Sequence, residues 1–377
     1  DNPLIQLQLP NINELRGLGA AITMAINFEK GVSTIEFNSN FSKKSNNKPY
    51  AYSGVDRKYK NYLSDNNELI MFLLMHFNPE NITHNILESK KFDVVFINKS
   101  CDQLTLEVAR IINSLKIKII YDLDDNIFEF PSYSNGSSEN KSIGLEILKL
   151  SSRIITCNLP LERLIWKHLK RRTTIIEHGI NVEKYTLNDK RIESNYPKIV
   201  FTNADNLKFN NFKGEFFLAL NKIQEEFPDL EINVYSDKKG ILGDKIKYLD
   251  LGSRSYSEHK LELAKSDYWF AIVPLAAGEE PELNNFHNCK SPIKYLDYGM
   301  SSIPTIFSDA YIYQGVIKHL ETGILSRNNH SSWLYWIRRL ILDKELREKL
   351  ARNSYLDVKE NHNIQRMSDK ILDVIYN

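Results

Sequence analysis

The stretch Asn288-Cys289-Lys290-Ser291-Pro292-Ile293-Lys294-Tyr295-Leu296-Asp297-Tyr298-Gly299 places two lysines, a capping serine and a carboxylate close together. Ser291 has the side chain of a helix N-cap, and Pro292 suits the first helical turn, where its missing N–H costs nothing. A helix that starts here aims backbone N–H groups and a positive dipole end at whatever lies before it, flanked by Lys290 and Lys294. The dipole contributes about 0.3 to 1 kcal/mol at an exposed site and a charge-assisted hydrogen bond roughly 1.5 to 3 kcal/mol, so lysines plus amides could hold a diphosphate and the dipole alone could not. Asp297, further along the helix, could accept hydrogen bonds from ribose hydroxyls. An ordinary capped helix with solvated lysines fits the same residues.

A second acidic group, Asp122-Leu123-Asp124-Asp125-Asn126, directly follows an apolar strand pattern ending at Tyr121. Asp124 and Asp125 can be read as an Asp-x-Asp metal site for a diphosphate, as partners of a sugar or acceptor hydroxyl, or as capping and turn residues. The metal reading is the weaker, because the phosphate-binding features lie elsewhere in the chain. His178, His287 and His319 stand alone and read as structural. Cys101, Cys157 and Cys289 have neither disulfide nor zinc spacing, which points to a reducing cytoplasm.

These groups need elements to carry them. Strand patterns at Asp93–Ile97, Ile117–Tyr121, Arg153–Thr156 and Thr173–Ile176 alternate with helical patterns at Leu104–Leu115, Ile143–Leu150 and Leu161–Leu169. After a polar linker, Leu187–Pro197, the alternation restarts with strands at Lys198–Phe201, Leu230–Tyr235, Tyr268–Val273 and Pro304–Phe307, and helices at Phe216–Glu226, Ser257–Ala264 and Pro292–Met300. Such alternation predicts parallel sheets covered on both faces, here two doubly wound domains in series with ligands in the cleft where their loops face each other. Near the start, strand Leu4–Leu9, helix Ala20–Glu29 with Gly31 as its cap, and strand Val32–Phe37 read as a βαβ unit; Asn67–Glu88 reads as a helix and Ala276–His287 as a loop. The expected boundaries are 1–186 for the first domain, 197–360 for the second, and 361–377 for a terminal helix that packs back on the first.

The 377 residues carry 49 basic and 48 acidic side chains, a net charge of +1, so no global field favours a nucleic-acid backbone. No apolar run approaches the 18 or so residues of a membrane span. Asp1 in place of a methionine is what a piece of a longer chain would show.

Ser291–Gly299, Ile303-Pro304-Thr305-Ile306 and Glu321-Thr322-Gly323-Ile324-Leu325 together resemble the donor-binding signature of retaining GT-B glycosyltransferases of the glycogen-synthase-like group-one superfamily. The likeness extends to Asp267–Leu275, Ile176–Tyr185 and Trp333–Ala351, and covers roughly residues 92 to 360. It implies a GT-B fold and transfer of a sugar, with retention, from a nucleotide-sugar donor to a saccharide or lipid-linked acceptor in bacterial surface polysaccharide or glycolipid assembly, without a metal or other cofactor. It also implies that Lys208 and Lys213 meet the donor diphosphate, and that Gly17 and Gly19 form a glycine-rich loop near the donor. Two positions depart from the family. Cys289 stands where an acid is usual, so Glu279, Glu280 or Glu282 would have to replace it, and Asp297 stands where Glu is usual. Relatives often reach lipid-linked acceptors by touching a membrane, and the basic, amphipathic helix Leu161–Arg172 is either such a peripheral contact or a helix packed on its own sheet. Two other readings stay open: a sugar-nucleotide epimerase of the same fold, and an inactive sugar-binding module.

Overall fold

The computed structural model describes residues 22–27, 31–36, 94–99, 101–129, 138–182, 193–202, 213–236, 240–254, 256–275 and 281–376. Gly17, Gly19, Lys208, Glu279, Glu280, strand Leu4–Leu9 and helix Asn67–Glu88 fall outside them, as does the side chain of Lys213. Internal contacts divide the described residues into two units: those up to Glu177 with those from Ser368 onward, and His178–Met367.

The first unit runs β1 (Ile22–Asn27), β2 (Gly31–Glu36), β3 (Val94–Asn98), α1 (Gln103–Ser114), β4 (Lys118–Leu123), α2 (Ser138–Leu150), β5 (Arg153–Thr156), α3 (Leu159–Leu169) and β6 (Thr174–Ile175). Its sheet has the order β2-β1-β3-β4-β5-β6, with β3 to β6 parallel. All of Val94–Asn98 and Ile119–Leu123 are buried, the unbroken run expected of strands covered on both faces. α1 begins where the Asp102 carboxylate accepts from Thr105 N at 2.9 Å, and α3 where the Asn158 side chain accepts from Leu161 N at 3.0 Å. The helix and βαβ unit expected around Ala20–Glu29 are not formed. Ile22–Asn27 is instead a strand, antiparallel to both β2 and β3, and Gly31 opens β2. Three of its residues, Ile22, Thr23 and Ile26, are β-branched, and pairing on both edges outweighs the helix preference of its alanine and methionine.

The second unit runs β7 (Lys198–Thr202), α4 (Lys213–Glu226), β8 (Glu231–Tyr235), β9 (Leu249–Asp250), α5 (Tyr256–Ala264), β10 (Phe270–Val273), α6 (Pro281–Asn288), α7 (Ile293–Met300), β11 (Thr305–Ser308), α8 (Tyr311–Gln314), β12 (Ile324–Ser326), α9 (His330–Leu342) and α10 (Lys344–Asn361). The loop expected over Ala276–His287 is therefore largely helix α6. The strands are all parallel in the order β12-β11-β10-β7-β8-β9. Alternate side chains feed two cores: Ile199, Phe201, Phe270 and Ile272 join Phe216, Trp333 and Ile337 on one face, while Val200, Ala271 and Val273 join Tyr295, Leu296 and Tyr298 on the other. Gly299 lets α7 lie against α10, since a Cβ there would sit 2.7 Å from Val358 Cγ2 and 3.2 Å from the Ser354 carbonyl.

The entry to β7 is fastened. Arg347 donates to both Glu193 carboxylate oxygens at 2.9 and 2.7 Å and stacks 4.1 Å over Trp269, whose indole N–H donates to the Ser194 carbonyl at 2.9 Å. The far end of the unit returns to its start: Ile180 N donates to the His362 carbonyl at 2.9 Å and Ile364 N to the Ile180 carbonyl at 3.0 Å. Gly179 permits this approach, because a Cβ there would meet Ile364 Cα at 2.9 Å. The chain then continues into α11 (Ile364–Tyr376), whose Val374 and Ile375 line a cavity with Lys118, Ile120, Ser152 and Arg153 of the first unit.

Candidate functional site

Strand order in the second sheet reverses direction between β7 and β10, which makes the carboxyl ends of those two strands its topological switch point, the place where doubly wound sheets take ligands. β7 ends at Thr202, and three side chains from two helices meet it. Tyr298 donates its hydroxyl to Thr202 Oγ1 at 2.7 Å, and Lys294 donates to the Thr202 carbonyl at 2.5 Å. His259 Nε2 lies 3.4 Å from Thr202 Oγ1. Lys260, beside it on α5, pairs with Asp297 of α7 at 3.1 Å, with only 7% and 10% of the two side chains exposed. Burial holds the Tyr298 hydroxyl well above its ordinary pKa, so it stays a donor. Burial also lowers the His259 pKa, against the opposing pull of Asp297 and Glu262. The neighbouring strand ends are pinned as well: Ser308 Oγ accepts from Leu275 N and donates to Asn328 Oδ1, both at 2.7 Å, and Asn328 returns a bond to the Leu275 carbonyl at 2.9 Å.

The motif residues are thus at a ligand-type position, with some roles changed. Ser291 is not the N-cap of α7; Pro292 holds that position without a side-chain cap, and Tyr295 N bonds to its carbonyl at 2.8 Å. Pro292 has a helix-compatible φ of -79° but a ψ of 34°, outside the helical range, so the helix starts one residue later than the serine suggests. Lys294 is not a solvated lysine, since its ammonium ties α7 to β7. The Lys290 ammonium lies 4.6 Å over the Phe286 ring of α6. Cys289 is buried, and Glu282 belongs to α6. His259 and Lys260 were not legible as site residues, because a His-Lys pair inside a charged helix carries no spacing signal.

In the first unit, Asp124 and Asp125 follow β4 at the carboxyl end of its sheet and share the Lys99 ammonium at 3.4 and 3.1 Å. Burial opposes charge on Lys99, but the two carboxylates outweigh it and hold the ammonium far above its ordinary pKa. Lys99 itself has φ 54°, an uncommon conformation for a side-chain-bearing residue, fixed by its N–H bond to the Asp122 carbonyl at 2.8 Å. The Asn98 amide donates to Asp122 Oδ2 at 3.0 Å, and Asn126 Oδ1 accepts from Phe128 N and Glu129 N at 2.8 and 3.0 Å. Asn126 thus closes the turn, and Asp125 Oδ1 accepts from Asn126 N at 3.1 Å. Among the described residues no group of three or more His, Cys, Asp or Glu side chains is placed to hold a metal ion.

Helix α3 buries Leu161 and Ile165, while Trp166 is 42% exposed with the Arg172 guanidinium 4.7 Å over its ring. Among the described residues no helix is long and apolar enough to cross a membrane.

An α/β chain with two Rossmann-like sheets, the second with a loaded switch point, has the GT-B fold. Solved structures bear this out. The Anabaena protein HepE in complex with UDP and glucose superposes with a TM-score of 0.60 at 13% identity, over 78% of this chain and 81% of that one. Sucrose-phosphate synthase from Thermosynechococcus elongatus gives 0.57 at 13% identity, over 79% and 76%. A glycosyltransferase from Rickettsia africae gives 0.56 at 16% identity, over 79% and 82%. No family model matches the sequence, and no curated protein does.

Proposed function

We propose that the chain is a retaining glycosyltransferase that moves a sugar from a nucleotide-diphosphate donor to a saccharide or lipid-linked saccharide, in the assembly of surface polysaccharide or glycolipid. The observation that carries this reading is the coincidence of the donor-type motif, Lys290 to Gly299, with the switch point of the second sheet. Solved neighbours of the same fold hold UDP and UDP-glucose, which makes UDP the first nucleotide to test.

In this reading the donor's ribose lies near Asp297 and its diphosphate near the amino end of α7, with Lys208, Lys213 and Lys290 supplying positive charge. Fixed cations and amides stabilise the charge that develops on the departing diphosphate. The bond between the sugar's anomeric carbon and the diphosphate oxygen breaks, the acceptor oxygen bonds to that carbon on the same face, and the acceptor's proton passes to a departing phosphate oxygen. No protein base is required. Asp124 and Asp125, already neutralised in part by Lys99, suit hydroxyl recognition better than they suit a divalent cation. Exposed Trp166 with Arg163, Lys167, Lys170 and Arg172 around it suits contact with anionic headgroups beside a lipid-linked acceptor.

The test is a thermal-shift screen over UDP, GDP, dTDP, ADP, CMP and their sugars. A nucleotide at 100 times its Kd adds about 2.7 kcal/mol of stability, and a protein that none of them stabilises is not this enzyme.

A further inference from the structure

We propose that His259 is a diphosphate-facing group of the donor site, and that binding of a nucleotide sugar there is coupled to uptake of a proton by its imidazole. The inference rests on the donor site proposed above and adds to it a residue that no motif marks.

Position is the first argument. His259 Nε2 points at Thr202 Oγ1, the last residue of the central strand at the switch point, so the ring stands where a ligand bound beyond that strand would approach. Hydrogen bonding is the second. Nδ1 is sealed from solvent and has no hydrogen-bond partner among the described residues, an arrangement a ring tolerates only at a cost unless something else completes it. Its surroundings are the third. Tyr235 of β8 packs edge-on at 4.6 Å between ring centroids, Lys260 and Glu262 share its helix, and Lys294 and Asp297 face it from α7. The Lys260 charge is answered by Asp297 and that of Glu262 by Arg254 at 3.0 Å, and Lys294 adds a further positive charge beside the ring.

Burial keeps the imidazole neutral in the unliganded protein. A diphosphate bearing two negative charges reverses the balance, because the charged form of the ring then gains a partner. The sign follows. His259 has a higher pKa in the complex than in the unliganded protein, so affinity is greatest below the lower pKa and declines as pH rises through the window between the two.

The experiment is calorimetry with whichever of UDP-glucose, GDP-mannose, ADP-glucose and dTDP-glucose binds. Both phosphates of a nucleotide sugar are esterified and do not titrate between pH 5 and 9, so any proton taken up comes to the protein. Titration in buffers of different ionisation enthalpy should show uptake of up to about one proton near pH 7, and affinity that falls by as much as about tenfold per pH unit. In His259→Asn the uptake should vanish and the affinity become flat with pH. Proton NMR of the His259 ring in the wild-type protein, with and without ligand, gives the same answer should the variant not fold: its titration midpoint should move upward on binding. Binding without uptake, or uptake that persists in His259→Asn, overturns the proposal and leaves the donor site standing. Failure of the wild type to bind any nucleotide sugar overturns both.

Discussion

Lys260→Met offers a direct measure of what the pair at the switch point does. Methionine is close to lysine in length and apolar, so the change removes an ammonium with little loss of volume, and it leaves Asp297 charged with 10% of its side chain exposed. Removing one partner of a buried pair costs about 3 to 5 kcal/mol, whereas neutralising both is often harmless. At about 2 to 4 °C per kcal/mol for a unit of this size, Lys260→Met should lower Tm by about 6 to 20 °C. The double variant Lys260→Met/Asp297→Asn should regain more than half of the loss. Three of the four tryptophans, Trp269, Trp333 and Trp336, lie in the second unit, so fluorescence-monitored urea unfolding reports on it chiefly. Two results refute the argument: a single variant within about 1 kcal/mol of wild type, which would mean that water screens the pair, or a double variant as unstable as the single one, which would mean that packing and not charge was lost.

Transfer activity should persist in excess EDTA; loss with rescue by Mn or Mg would return Asp124 and Asp125 to the metal reading. Asp125→Asn leaves Lys99 paired with Asp124, so nucleotide affinity should stay within about threefold, under roughly 0.7 kcal/mol, while turnover falls at least tenfold; normal turnover would remove the loop from the reaction. Gly299→Ala should destabilise by about 1 to 3 kcal/mol through overpacking against α10, where an exposed helical glycine would gain about 1 kcal/mol from the same change, and denaturant midpoints distinguish the two.

The parallel strands were legible because burial on both faces writes an unbroken apolar run, as at Val94–Ile97 and Ile199–Phe201; helix starts were less so, since Ser291, read as a cap, gives way to Pro292. The hairpin was not, because Ala20–Glu29 holds good helix formers and its strand state depends on partners on both sides. Motif position carried the site as far as α7. Side-chain commitments within it did not follow: nothing in the spacing of Lys294 foretells a bond to Thr202, nor does Lys99, alone after a strand, announce that two aspartates will share it. Contacts between residues far apart in sequence decide these, and a single sequence does not record them.

The closure of Ile180 on His362 and Ile364 also dictates an order of events during synthesis. The second unit has its own ends tied together and can complete itself once Met367 is made. The first unit cannot, since the part of α11 it needs, from Ser368 on, follows the whole of the second. Domains usually fold as they emerge, the amino-terminal one first; here the sheet made earliest keeps part of its surface uncovered until the latest helix is made. An unfinished chain would therefore expose the first unit, making it the target for chaperones and proteases while the second is already folded.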